Sequence, residues 1–196
     1  METVDSLEID RLIALAKKGD QEAFGQVVQT FYERVYRVIL RVVQNPDDAR
    51  ELSQATWVKA WQRLADYQQE ARFFTWLYRI AVNTSLDFLR HRRRRPESPL
   101  EPVLGEDSDA LALDRQRELA DERTPADDLH RAEIRRAFDA ALADLSPEHR
   151  MALVLREVEG MSYEEIAAAM KTRTGTVMSR LHYARKALQQ TLEKYL

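Results

Sequence analysis

The last predicted helix of this chain carries the side chains best suited to contact nucleic acid. Its apolar residues recur at helical spacing and predict one buried stripe of Val177, Leu181, Ala184 and Leu188. The remaining positions are cationic or hydrogen-bonding: Ser179, Arg180, His182, Tyr183, Arg185 and Lys186. A helix of this kind, braced by a shorter one, is typical of the helix-turn-helix arrangement that reads a DNA major groove.

The residues ahead of this helix predict the brace. Ser162 and Glu165 have the spacing of a capping box, in which the hydroxyl accepts from a backbone amide and the carboxylate reaches back to the cap. Met161 and Ile166 can form the accompanying hydrophobic staple. Gly175 is expected to supply the backbone freedom of the turn between the two helices. The alternative is an ordinary helical hairpin with a solvated basic face.

A second stretch, residues 73–83, interleaves aromatic and hydrogen-bonding side chains and reads FFTWLYRIAVN. Bases stack on aromatic rings while cations hold phosphates, so this helix together with Arg72 and Arg79 suits single-stranded DNA. The alternative is that the aromatic residues pack in a core, because a helix this apolar needs a partner. Arg90 and the arginines at 92–95 follow it and favour the nucleic-acid interpretation.

The residue types that commonly serve catalysis or metal binding do not occur in a spacing that suits catalysis or metal binding. The histidines lie far apart in the sequence, at His91, His130, His149 and His182, and no HExxH motif is present. The chain also has no GxxxxGK[ST], GxGxxG or GxSxG motif. The sequence therefore predicts no catalytic residue, no metal site and no cofactor.

Composition predicts an all-α protein. The 196 residues are 44% hydrophobic, which allows a core, and glycine and proline are few. There is no cysteine, so neither disulfides nor thiolate chemistry can contribute. The N-terminal residues lack a signal-peptide core, and no apolar run approaches the ~20 residues of a membrane span. A cytoplasmic location is expected.

The net charge of −3 conceals a segregation of charge. The arginine run and the final helix are basic, whereas residues 101–128 are acidic. Because the local patch sets the attraction for phosphate, two basic faces joined by an acidic connector fit a protein that binds nucleic acid at two sites.

Periodicity divides the chain into two small helical domains on a tether. Residues 1–96 form the first domain, residues 97–127 a flexible acidic linker, and residues 128–196 the second domain, with the helix-turn-helix at about 162–182. Several apolar residues are predicted to face inward, among them Leu7, Leu12, Ile13, Leu15, Leu52, Val58 and Val158.

Taken together, these blocks resemble bacterial RNA polymerase sigma factors of the extracytoplasmic-function (ECF) group of the sigma-70 family, and the sigma-E-like branch in particular. The segments EGMSYEEIAAAM and GTVMSRLHYARKAL resemble region 4 of that family, and FFTWLYRIAVNTSLDFLRHRRRRP resembles region 2.3–2.4. The segment DARELSQATWVKAW resembles region 2.2, and KKGDQEAFGQVVQTFYERVYRVIL resembles region 2.1. The match covers nearly the whole chain except the acidic linker.

The resemblance implies a subunit that joins core RNA polymerase, selects promoters and promotes strand opening. The β′ clamp helices would contact Asp48, Glu51, Leu52, Gln54, Trp57 and Lys59. The melted −10 element would contact Tyr67, Arg72, Phe74, Thr75, Trp76, Arg79 and Asn83. The −35 major groove would contact Thr176, Ser179, Arg180, His182, Tyr183, Arg185 and Lys186.

The resemblance also implies further partners: the β flap of the polymerase, promoter DNA and an anti-sigma factor, but no small-molecule substrate. Met178 and Tyr183 stand where that branch commonly has basic residues, so the −35 sequence itself is not carried over. The alternative function is a helix-turn-helix regulator with an N-terminal helical effector or dimerisation domain. A nucleic-acid enzyme such as a recombinase is disfavoured because an acidic catalytic set is missing.

Overall fold

The computed structural model describes residues 6–68, 72–94 and 137–193. The predicted linker at 97–127 and the predicted start of the second domain at 128 lie outside these residues. Within them every regular element is helical, which confirms the all-α prediction. None of the described helices combines the length and apolar character that crossing a membrane requires.

The first unit consists of four helices and one short 3₁₀ turn: α1 (Ser6–Ala16), α2 (Gln21–Val43), α3 (Pro46–Arg63), the 3₁₀ turn (Leu64–Asp66) and α4 (Phe73–Arg94). Local sequence sets their starts. The Asp20 carboxylate accepts from the Ala23 amide at the start of α2, and the Asn45 side chain accepts from two amides of α3. Gly19 has a φ of 95°, which allows the reversal after α1.

Three residues of this unit that were predicted to face inward are exposed. In α1 the buried residues are Ile9, Ile13 and Ala16, while Leu7 is 74% and Leu15 is 37% exposed. The spacing i, i+4, i+7 places the three buried residues on one stripe, and Leu7 and Leu15 fall outside it. In α3, Val58 is 56% exposed although it was expected to be buried.

The second unit contains residues 137–144 (α5), α6 (Pro147–Leu153), a π-helical turn (Val154–Val158) that continues α6, α7 (Tyr163–Ala169) and α8 (Thr174–Leu192). Ser146 caps α6, and Ser162 with Glu165 forms the predicted capping box of α7 with both bonds present. The π turn carries one extra residue per turn and shifts the following side chains around the axis. Val158 is consequently 47% exposed, not buried as expected.

The turn between α7 and α8 differs from the prediction. Lys171 adopts the left-handed conformation with a φ of 51°, whereas Gly175 lies inside α8. A Cβ built on Gly175 would meet nothing within 4 Å. The lysine, not the glycine, therefore supplies the unusual backbone angle of the turn.

The two units pack directly against each other. The helix pairs α4 with α7 and α2 with α6 are in contact, and one continuous apolar cluster includes residues of both units. Val38 and Val42 of α2 are fully buried. This burial fits a helix covered by neighbours on more than one side. The prediction of two tethered domains did not include this interface.

Candidate nucleic-acid interface

The helix-turn-helix presents α8 as an open face. Val177, Leu181 and Ala184 are buried against α6 and α7, as their spacing predicts. Most of the candidate −35 residues point away from that stripe and are exposed: Ser179, His182, Tyr183, Arg185 and Lys186. Thr176 and Arg180 are half-buried. The arrangement allows one side of α8 to enter a groove while the other holds the unit together.

Two arginines of this face differ in their availability. Arg185 donates to the Glu157 carboxylate at 3.0 Å from Nε and 2.7 Å from Nη2, and this bond raises the pKa of the guanidinium. Arg180 has its Nη1 4.0 Å from the Met170 sulfur, which is a weak contact. Arg180 can therefore be redirected to a base edge more easily than Arg185.

The candidate −10 residues surround the N-terminal half of α4, but several of their rings take part in packing. Tyr67 is 4% exposed, with its ring 5.6 Å from Phe73 and 5.2 Å from Trp76 between centroids. The centroid of the Phe74 ring lies 5.0 Å from that of the Phe31 ring. The packing alternative therefore holds in part, since Phe73 and Tyr78 of this stretch are buried, while Arg72 and Arg79 are exposed and their contact with nucleic acid stays a prediction.

The polar members of the −10 set contact the second unit. The Thr75 hydroxyl donates to the Glu165 carboxylate at 3.0 Å, and the Asn83 amide donates to the Ala169 carbonyl at 3.4 Å. The pKa of Glu165 is lowered, chiefly because its carboxylate accepts from the Ser162 backbone amide and also because it accepts from Thr75. These two positions of α4 are occupied by acceptors from α7.

A cavity of about 430 Å³ lies beside these contacts. The charged groups of its lining are four cations and two carboxylates: Lys59, Arg63, Arg79, Asp66 and Asp87 of the first unit and Lys171 of the second. The Trp76 indole forms part of the wall. Cations near an aromatic ring are the groups that a nucleotide binds, through its phosphate and its base respectively.

The candidate polymerase-binding residues on α3 divide into two groups. Glu51, Gln54 and Lys59 are exposed. Leu52 and Trp57 are each 6% exposed, so their assignment as contact residues is corrected: both belong to the core. The Trp57 ring meets Phe24 at a centroid distance of 6.0 Å.

Two further residues alter the picture of this face of α3. Val58 shares the exposed side with Gln54 and Glu51, at i+4 and i+7, and is an exposed apolar residue that the prediction missed. Asp48 is ion-paired with Arg92 of the arginine run. That run thus serves in part to tie the end of α4 to the start of α3.

Comparison with known families decides what these surfaces belong to. The family description "Sigma-70 region 2" matches residues 27–95, and "Sigma-70, region 4" matches residues 135–188. The RNA polymerase sigma-H factor of Pseudomonas aeruginosa is 35% identical over 186 residues, which cover 95% of this chain and 94% of that protein. The chain belongs to the ECF sigma factors of the sigma-70 family.

Other similarities agree with this assignment. The sigma factor is 33% identical to the ECF RNA polymerase sigma-E factor of Haemophilus influenzae over 189 residues, or 96% of this chain and 97% of that protein. A solved structure of CnrH in complex with the cytosolic domain of CnrY is 26% identical, with a TM-score of 0.63, and covers 97% of this chain and 99% of that one.

The family boundaries coincide with the two surfaces of the sigma factor. Region 2 contains α3 and α4, with the exposed side of α3 and the aromatic helix, and region 4 contains the helix-turn-helix. Among the described residues, no group of three or more histidines and carboxylates could hold a metal ion. What the sequence could not indicate is that α7 would bond to Thr75 and Asn83, because residues about 90 positions apart leave no local pattern.

Proposed function

We propose that this sigma factor uses residues 1–96 to bind core RNA polymerase and the −10 element, and residues 128–196 to bind the −35 element, with residues 97–127 as the linker. The observation that carries the proposal is the presence of two separate faces suited to nucleic acid. The α8 face is cationic and open, and the α4 face combines exposed arginines with aromatic rings. Duplex and single-stranded DNA require these two kinds of surface respectively.

The −35 contacts divide by chemistry. Arg180 is suited to bidentate contact with a guanine edge, and Ser179 to a base or a phosphate. Lys186 lies further along the exposed side and is suited to phosphate. Tyr183 is 61% exposed and presents an apolar ring as well as a hydroxyl, so it can contact a thymine methyl group or a sugar.

The −10 contacts rest on Arg72, Thr75, Trp76, Arg79 and Asn83. Reading a base on a melted strand requires extruding it from the stack and placing it in a pocket. The cavity beside Trp76 is of the size at which proteins hold small organic groups. Tyr67 supports the pocket through ring packing against Trp76, whereas Phe74 packs against Phe31 in the first unit, and both roles differ from direct base contact.

For the polymerase we propose the exposed side of α3, consisting of Glu51, Gln54, Val58 and Lys59. An exposed valine among charged and amide groups provides an apolar contact within a polar rim, as protein interfaces commonly do. The second unit would contact the β flap. We further propose an anti-sigma factor as the regulator, in keeping with the family resemblance and with the CnrH complex.

Sigma factors of this family act in transcription initiation, and we propose that this one has no catalytic step, cofactor or small-molecule substrate of its own. The polymerase supplies the chemistry, in the cytoplasm.

Run-off transcription tests the proposal. Purified core polymerase is incubated with a library of randomised promoter-length templates, with and without this protein, and the transcripts are sequenced. We expect initiation at a defined pair of sequence elements only when the protein is present. Initiation that does not depend on the protein would reject the function.

A further inference from the structure

Met178 is an exposed apolar side chain on the helix that is proposed to enter the −35 groove. It is the fifth residue of α8, and it is 54% exposed. Leu188 of the same helix packs against the shared apolar cluster, but Met178 projects to solvent. The N-terminal part of a recognition helix is the part that meets base edges. The fold therefore leaves Met178 where a base can reach it.

The chemistry of Met178 narrows what it can recognise. Methionine has no hydrogen-bond donor, and its thioether sulfur is only a weak acceptor. It therefore cannot pair with the polar groups of a base edge as arginine, asparagine or serine can. The apolar group that a base presents in the major groove is the methyl group at C5 of thymine, and 5-methylcytosine carries the same methyl group at the same place. A C5-methylated pyrimidine is the base that Met178 suits.

The second exposed apolar residue of α8 does not narrow the base in this way. Tyr183 is 61% exposed, and its hydroxyl can donate or accept. Its ring meets those of His149 and His182 edge-on, at centroid distances of 6.2 and 5.7 Å. A methyl group is one of several groups that Tyr183 can contact, so Met178 restricts the base more sharply.

The helical turn just before Met178 has a gap in its side-chain surface. A helical side chain lies over the turn that is N-terminal to its own Cα. Met178 and Ser179 therefore both lie over the turn that contains Gly175, three and four residues back. Gly175 is exposed, and a Cβ built on it would meet nothing within 4 Å. A base edge can approach the backbone here more closely than at a position with a side chain.

Met178 and Ser179 border this gap with complementary chemistry. In a C5-methylated pyrimidine the methyl group neighbours the substituent at C4, which is an oxygen in thymine and an amino group in 5-methylcytosine. Met178 offers an apolar surface to the methyl group. Ser179 is exposed, and its hydroxyl can donate to the oxygen or accept from the amino group. The two side chains thus match the two neighbouring groups of one base.

We propose that Gly175, Met178 and Ser179 form a subsite of α8 that binds a C5-methylated pyrimidine at one position of the −35 element. The inference rests on the proposed function of α8 as the −35 reader and adds the base that one part of this helix selects. Met178 determines the specificity through the methyl group, and Gly175 gives the base edge access to it. Because Met178 is exposed, its replacement changes DNA recognition and leaves the fold intact.

Deoxyuridine tests the subsite, because it is thymine without the methyl group and pairs with adenine in the same way. The preferred −35 element is first selected by the protein with core polymerase from the randomised templates of the run-off assay. Each thymine of that element is then replaced singly by deoxyuridine, and binding of the sigma–polymerase complex is measured by competition. We expect at least one replacement to weaken binding about fourfold, the factor that corresponds to one buried methyl group. If no single replacement weakened binding, the proposal would be overturned.

Variants of Met178 assign this effect to its side chain. Met178→Ala should bind the thymine and deoxyuridine duplexes with equal affinity, whereas Met178→Leu, which stays apolar, should keep the preference for thymine. Lys186→Ala is the matched control on the exposed side of the same helix. It should weaken binding to both duplexes by the same factor, because the contact expected of Lys186 is a phosphate. A thymine preference that survived in Met178→Ala, or that was lost in Lys186→Ala, would overturn the role of Met178.

Cytosine and 5-methylcytosine at the sensitive position separate the methyl group from the rest of the base. We expect the wild type to bind the 5-methylcytosine duplex about fourfold more tightly than the cytosine duplex, and Met178→Ala to bind the two equally. Equal binding of the two duplexes by the wild type would overturn recognition through the methyl group. The tighter of the thymine and 5-methylcytosine duplexes identifies the base that the subsite takes in a promoter.

Gly175→Val tests the access to the subsite. Valine fits the open space in the free protein and is no poorer a helix former than glycine, but its stiff branched side chain fills the gap. We expect binding to the selected duplex to weaken about tenfold, within the range of a mismatched base pair, while the midpoint of thermal denaturation does not fall. Unchanged binding would show that no base edge approaches Gly175 and would overturn the subsite.

Failure of the subsite is distinguishable from failure of the proposed function. If the sigma–polymerase complex selects a −35 element but its binding depends on no thymine methyl group, only the subsite is wrong. If no sequence upstream of the start site is selected at all, the assignment of α8 as the −35 reader fails as well.

Discussion

The two helices proposed to read DNA differ in how much of their surface the fold leaves open. On α8 one apolar stripe is buried and the rest of the helix is largely exposed. On α4 ten residues are buried, including Thr75, Tyr78, Thr84 and Ser85, which do not share one stripe. The difference arises because α8 packs on one side only, whereas α4 lies between the first unit and α7. Chemistry suited to DNA is thus present at both sites, but only one of them is accessible in this arrangement.

The largest expected effect is that of Arg150→Met, which removes a buried hydrogen bond from the second unit to the end of α2. It leaves the carbonyls of Val42, Ala143 and Leu145 without their donor inside the fold. We expect the free energy of unfolding to fall by about 2–4 kcal/mol, since hydrogen bonds to a charged group contribute about 1.5–3 kcal/mol each and part is regained by packing. Urea denaturation measures this.

Arg156→Met is the matched control for that change. Arg156 donates to the Met161 carbonyl at 2.8 Å within its own unit and lies over the Tyr163 ring. We expect a loss of about 1 kcal/mol. An equal loss in the two variants would show that contact between the units contributes nothing to stability.

Arg180→Ala sharpens the comparison on the open side. We expect binding to a −35 duplex to weaken by about 1–3 kcal/mol if the guanidinium makes a bidentate base contact. Arg185→Ala is the control. Because Arg185 is already bonded to Glu157, we expect its loss to weaken binding to the −35 duplex by less. DNase footprinting across base variants measures both affinity and preference. Unchanged sequence preference in Arg180→Ala would contradict the base contact.

On the covered side, Asn83→Ala should separate the two DNA-binding steps. We expect duplex −35 binding to stay at the wild-type level, because α8 is independent of Asn83, while strand opening is impaired. Permanganate reactivity of thymines near the start site reports the opening. Opening at the wild-type level would assign Asn83 to the contact with the Ala169 carbonyl alone.

Elements set by local sequence were predictable, and those set by distant packing were not. The Ser162–Glu165 capping box and the stripe of α8 each depend on residues within a few positions, and the structure confirms them. The hydrogen bonds from Arg34 to the Glu159 carboxylate and from Arg150 to the Val42 carbonyl join residues more than 100 positions apart. No periodicity in either segment records such a partner.

The candidate sites divide in the same way. The exposed side of α8 follows from helical spacing, so its residues were predicted together. Trp57 and Leu52 were assigned to a partner surface by resemblance alone, and the packing of α3 against α2 and α4 places them inside the core instead. Exposure of Val58 and Val158 depends on neighbouring helices and on a π turn, neither of which the apolar character of the residue reveals.

Acid should weaken the covered arrangement through Glu165. Its pKa is below the ordinary 4.5, so its stabilising contribution is present above that value and is lost as the pH falls through the lowered pKa. The groups that favour its charged form are Ser162 first, through its backbone amide, and then Thr75 and Arg72. We expect spin labels on Lys18→Cys and Gln189→Cys, one in each unit, to lie further apart at pH 3.5 than at pH 7. Glu165→Gln keeps a capping side chain and should show less change over this range; an identical response would exclude Glu165 as the titrating group.

The smallest expected effect tests the turn that leads into α8. Gly175 is helical and has open space around its missing Cβ, so Gly175→Ala should raise the free energy of unfolding by about 0.4–1 kcal/mol by reducing the freedom of the unfolded chain. Lys171 has a left-handed backbone angle, which glycine adopts without steric cost. We therefore expect Lys171→Gly to leave the free energy of unfolding unchanged or to raise it. Thermal denaturation of both variants measures the difference. If Gly175→Ala destabilised the protein, the glycine would be needed in the turn after all, and the start of α8 at Thr174 would be wrong.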